Sequence, residues 1–87
     1  MRISKKAQAG TMQSSDLIVS VEPANELILE IESTVQQQFG HLIQERAQSV
    51  LRRLKVERGR IVISDRGALD YAIEARVEAA LRRAATG

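Results

Sequence analysis

Residues 8–21, QAGTMQSSDLIVSV, set two adjacent hydroxyls, Ser14 and Ser15, directly before the carboxylate of Asp16. A serine hydroxyl acts as a nucleophile when a general base adjoins it; without one it can still serve as an attachment oxygen or simply close a turn. The chain is poor in partners for such a serine. It has one histidine, His41, and no cysteine, so neither a thiolate metal site nor a histidine-based triad can be assembled, and no metal site is predicted. Glu30 and Glu32 have the right chemistry for a general acid/base pair, but they alternate with Leu29 and Ile31 and are expected on the solvated side of a strand. No catalytic residue is predicted. On local grounds a serine pair between two extended runs is a turn.

The elements flanking the serines decide how they are displayed. From Asp16 to Glu22, Leu17, Val19 and Val21 alternate with Ile18, Ser20 and Glu22, the period of a strand. Pro23-Ala24-Asn25 breaks it, and a second strand follows from Leu27 to Ser33 with Leu27, Leu29 and Ile31 inward. Val35, Phe39, Leu42, Ile43, Ala47, Val50, Leu51 and Leu54 form one helical stripe. Arg60 to Ser64 is a short β-branched strand. A last helix is expected from about Ala68, with Leu69, Ala72, Ile73, Val77, Ala80, Leu81 and Ala84 on its apolar side, Asp65 as the cap candidate and Gly67 at the preceding bend. Upstream, Ala7, Ala9 and Thr11 alternate with Gln8, Gly10 and Met12, so this segment pairs with the strand after Asp16 in a hairpin whose tip carries Ser14. The tip is expected to pack little and to be weakly protected.

The order β-β-β-α-β-α contains a strand-helix-strand crossover, which gives a parallel pair. The predicted fold is α+β: a small two-layer sandwich with a mixed β-sheet and two helices on one face, Val19, Ile31 and Ile63 on the covered side and Phe39 in the core. With 87 residues, residues 1–87 are read as a single domain. Its 28% charged and 44% hydrophobic residues suit a globular chain. No run nears the roughly 18 apolar residues of a membrane span, and the basic N-terminus lacks the apolar region of a secretory signal, so a cytoplasmic protein without membrane association is expected.

The formal net charge of +2 is unevenly spread. Between Ala7 and Glu45 there are six acids and no Lys or Arg, whereas Arg46 to Arg60 holds six bases against Glu57. Such a basic stretch can track phosphates, and a small nucleic-acid-binding module is an alternative. Aromatic residues amount to 2%, only Phe39 and Tyr71, so the stacking platform for bases is missing and no nucleic acid is expected. Arg52, Arg53, Arg58 and Arg60 are either a solvated helix end and its surroundings or a surface for an anionic partner.

Three segments together carry a resemblance: AGTMQSSD at 9–16, QQFG at 37–40, and GALDYAIEARVEAALRRA at 67–84. At these offsets the chain resembles, along its whole length, the citrate lyase acyl carrier (gamma subunit) family. The resemblance implies that the serine four residues after Gly10, Ser14, carries a covalently bound 2'-(5''-phosphoribosyl)-3'-dephospho-CoA through a phosphodiester. It further implies a non-catalytic carrier that takes acetyl and citryl thioesters between the alpha and beta subunits of the lyase and is loaded by a prosthetic-group transferase. Where the family's pattern has an acid and a glycine around that serine, this chain has Gln13 and Ser15, which adds a second hydroxyl and removes glycine's ease at positive φ. Malonate decarboxylase and citramalate lyase have carriers of the same kind, which remain alternatives.

Overall fold

The computed structural model describes residues 1–33 and 38–85, the side chains of 33, 38–40 and 70 excepted. Its elements are β1 (Ala7–Gly10), β2 (Leu17–Glu22), β3 (Leu27–Ser33), α1 (Gln38–Arg53), β4 (Gly59–Asp65) and α2 (Asp70–Ala84). This is the β-β-β-α-β-α order expected from the alternation. The strands lie in the order β1-β2-β4-β3. β2 pairs antiparallel with both β1 and β4, whereas β3 and β4, joined through α1, run parallel.

Period-two burial fixes the register. Leu17, Val19 and Val21 of β2 and Ile61 and Ile63 of β4 are fully or nearly fully buried, and Val19 lies opposite Ile63. Against them pack Ile43, Ala47, Val50 and Leu51 of α1 and Ile73, Val77, Ala80 and Leu81 of α2. Both helices therefore cover one face of the sheet. Burying a Val, Leu or Ile side chain contributes about 1.5–3 kcal/mol, and this single cluster holds the layers together.

Some expectations are corrected. Leu27 and Leu69, assigned to apolar faces, are 44% and 58% exposed: Leu27 is the first residue of β3, and Leu69 precedes the first residue of α2. Asp65 does not cap α2. It ends β4, buried, and accepts hydrogen bonds from the amides of Gly67 (3.1 Å) and Ala68 (3.0 Å), so it closes the loop before the helix. α2 starts later, at Asp70, with Leu69 as an N-cap that makes no side-chain cap bond. Val35 and the side chain of Phe39, expected on the helix stripe and in the core, lie outside the described residues. Ile3 joins the core unannounced, its strand-like bridge to Ala85 seating it over Gly59.

Candidate functional site

The β1–β2 connection runs from Thr11 to Asp16 and contains the serine pair. Gly10 opens it at φ +105°, and a Cβ there would lie 1.9 Å from the Leu17 carbonyl oxygen. Only glycine allows this close approach. The Thr11 amide then donates to that same Leu17 carbonyl at 3.1 Å, closing the strand pair.

Ser14 and Ser15 form the middle of a β-turn in which the Asp16 amide donates to the Gln13 carbonyl (3.2 Å). Ser15 has φ +64°. A positive φ at the third residue only is the mark of a type II turn, where glycine is favoured. The same residue also opens a bulge against β4: the Ser15 amide donates to the Arg66 carbonyl, and the Arg66 amide donates to the Asp16 carbonyl, both at 2.8 Å. Two residues of one strand thus face one of the other, the G1 bulge, whose first residue is ordinarily a glycine in the left-handed region. Ser15 thus occupies a position that glycine ordinarily takes.

Ser14, the second residue of the turn, is exposed, and neither its hydroxyl nor its amide makes a hydrogen bond to any described residue. The tip is therefore exposed at its side chains yet tied at its backbone on either side. The exposed side chains of Gln13, Ser14 and Ser15 agree with the sparse packing expected, whereas the bonded Ser15 amide is at odds with weak protection there.

Asp16 holds the base of the turn. Its carboxylate accepts from the Thr11 hydroxyl (2.6 Å), the Leu17 amide (2.8 Å) and the Arg76 guanidinium (3.1 and 3.4 Å). The Thr11 hydroxyl, with the Leu17 amide and Arg76, holds this carboxyl below the usual aspartate range. An ionised, fully engaged carboxylate of this kind is a structural clamp and no free base for Ser14.

The basic stretch lies elsewhere. Arg60 bridges Glu22 (3.0 Å) and Glu30 (2.9 Å) on the open face of the sheet, and Arg53 pairs with Glu78 (2.8 Å). Arg58 and Arg60 sit at the start of β4 and the serine turn beside its end, about 20 Å apart at 3.3 Å per residue. They do not surround Ser14. His41 is exposed and pairs with Glu45 one helical turn on (3.2 Å). Glu30 and Glu32 are exposed on β3 as expected. Sequence reasoning missed Thr11, Arg66 and Arg76, the last from a helix 60 residues away from Asp16; no local spacing signals such a contact.

A family model described as malonate decarboxylase delta subunit (MdcD) matches residues 4–84. The citrate lyase acyl carrier protein of Escherichia fergusonii is 49% identical over 87 residues, covering 98% of this chain and 90% of its own length. That of Treponema denticola is 44% identical over 84 residues, covering 97% of both. A chain in the crystal structure of a Pseudomonas malonate decarboxylase hetero-tetramer in complex with malonate matches at a TM-score of 0.74 and 24% identity, over 95% of this chain and 87% of its own, which speaks to fold alone. Identities of 44–49% over almost the full length of both chains lead to one conclusion: the chain belongs to the citrate lyase acyl carrier protein family.

Proposed function

We propose that this chain is the acyl carrier subunit of a cytoplasmic citrate lyase, and that Ser14 bears its phosphoribosyl-dephospho-coenzyme A group through a phosphodiester. The observation that carries the reading is Ser14 itself: an exposed hydroxyl without a hydrogen bond to a described residue, on the projecting residue of a turn whose backbone is fastened on both sides. A hydroxyl so displayed fits an attachment oxygen. Asp16 is engaged and no other free base is bonded to Ser14 among the described residues, which fits a serine modified by another enzyme. The group supplies a thiol that holds an acyl chain as a thioester, chemistry this cysteine-free chain lacks. The chain's own residues present the attachment point: Gly10 lets the strands close, Asp16 clamps the turn, and Ser15 turns the backbone.

Tethering raises the effective concentration of the thioester at each active site within reach. The partners are the alpha subunit, which exchanges acetyl for citrate, the beta subunit, which cleaves the citryl thioester to oxaloacetate, and the transferase that installs the group. The whole chain serves as one carrier domain.

Coexpression with that transferase tests the reading by intact mass. Wild type and Ser15→Ala gain the mass of the group, and Ser14→Ala folds within about 0.5 kcal/mol of wild type but stays unmodified. Loading of Ser14→Ala at the wild-type level would overturn the assignment. A second reading, a malonate decarboxylase carrier, is favoured by the description of the matching family model. Loaded protein offered to each enzyme's remaining subunits decides between them: turnover of citrate alone supports the first, decarboxylation of malonate alone the second.

A further inference from the structure

Resting on the assignment of Ser14, we propose that Arg66 is the binding residue for the phosphoryl group that becomes joined to that serine. The loop from β4 to α2 has no sequence relation to the serine turn, yet the bulge fixes the two together. Arg66 both accepts from the Ser15 amide and donates to the Asp16 carbonyl at 2.8 Å, so its backbone is held one residue from Ser14. Asp65, buried beside it, braces the same loop through the amides of Gly67 and Ala68.

The Arg66 side chain is exposed and has no ion-pair or hydrogen-bond partner among the described residues. Two other cations of the described residues that reach this hairpin are committed. Arg76 is spent on Asp16, and Arg83 donates to the Gln8 carbonyl at 2.8 Å. Asp16, the acid nearest Ser14 in the chain, is neutralised by Arg76. Arg66 thus has its backbone bonded to the two residues that follow Ser14 and carries a guanidinium uncommitted among the described residues, the group best shaped to take two phosphate oxygens.

Forming a phosphodiester at Ser14 requires an activated phosphoryl donor, a phosphoric anhydride of the phosphoribosyl group. The Ser14 oxygen bonds to phosphorus, the anhydride P–O bond breaks with an inorganic phosphate species leaving, and the hydroxyl proton passes to a base of the transferase. Negative charge is spread over the phosphoryl oxygens and builds on the leaving anhydride oxygen during this exchange, and one anionic charge remains in the diester. Arg66 meets both.

The test is steady-state loading by the transferase, with carrier and anhydride donor varied in turn. Arg66→Gln should raise the KM for the donor about tenfold, the scale of one charge-assisted hydrogen bond, with amide spectra of the rest of the chain unchanged. Arg66→Lys should recover much of the loss. Wild-type kinetics for Arg66→Gln while Ser14→Ala stays unloaded would refute the inference and leave the attachment site standing. A rise confined to the KM for the carrier would also overturn it, since that marks Arg66 as a contact with the transferase. Loading of Ser14→Ala would instead remove the assignment on which the inference depends.

Discussion

The guanidinium of Arg76, on the second turn of α2, donates to both carboxylate oxygens of Asp16, at 3.4 and 3.1 Å. A helix side chain thereby anchors the turn that displays Ser14. The contact ties the helical layer to the one loop in which chemistry is expected.

Asp16 is accordingly expected to stabilise the fold in a pH-dependent way. Its folded carboxyl titrates below the ordinary range, first through the Thr11 hydroxyl and then through the Leu17 amide and Arg76. A depressed carboxylate contributes in full above its unfolded value, about 3.9, and loses that contribution as pH falls through the folded value. Asp16→Asn should melt below wild type at neutral pH, and the gap should narrow as pH drops below about 4. Thermal melts from pH 7 to pH 2.5 would check this, and a gap independent of pH would exclude the clamp.

Ser15→Gly should stabilise the protein by about 1 kcal/mol, because a left-handed residue with a Cβ costs about 1–2 kcal/mol and glycine returns part of that gain in the unfolded chain. Ser15→Val, β-branched, should destabilise it. Urea midpoints at unchanged slope give the measure. Equal stability of all three would mean that φ is not positive at Ser15.

Gly10→Ala should cost about 2 kcal/mol or more, from strain at φ +105° together with collision with the Leu17 carbonyl. If the same urea titration finds this variant as stable as wild type, the strands do not approach as closely as described.

Hydrogen exchange should split the turn residue by residue. The Ser15 amide, bonded to the Arg66 carbonyl at 2.8 Å, should be protected, whereas the Ser14 amide, with no described acceptor, should exchange nearly freely. Uniformly fast exchange across residues 13–16 would restore the loose tip expected from sequence alone.

How much of this was legible in the sequence follows from the range of the interactions. The alternation of Leu17, Val19 and Val21, and of Ile61 and Ile63, is a local pattern, and it led directly to the buried face and the crossover. The helix stripe through Ile43, Ala47, Val50 and Leu51 was equally plain. Ser14 is singled out only through the resemblance, since nothing local distinguishes it from any turn serine. The clamp was not legible, for Asp16 and Arg76 become neighbours only after the layers pack. Asp65 misled because an aspartate before a helix has two uses, and here burial at the end of β4 turned it to the loop amides. The positive φ at Lys55 was likewise hidden: its amide bonds the Arg52 carbonyl and the Val56 amide bonds that of Leu51, the Schellman ending that glycine usually provides.

The bulge has a mechanical consequence for anything hung on Ser14. With Ser15 and Asp16 bonded to Arg66, the attachment point proposed at Ser14 is a fixed pivot, and a cargo on it would sweep a volume set by its own tether alone. Every active site served by one carrier must then open within a single tether length of that pivot, unless the whole domain is carried from one to the next. Loosening the turn would widen the sweep but dilute the cargo over a larger volume, lowering its effective concentration at each site. A rigid mount trades range for concentration, and it makes the distance between partner active sites a quantity that tether length bounds.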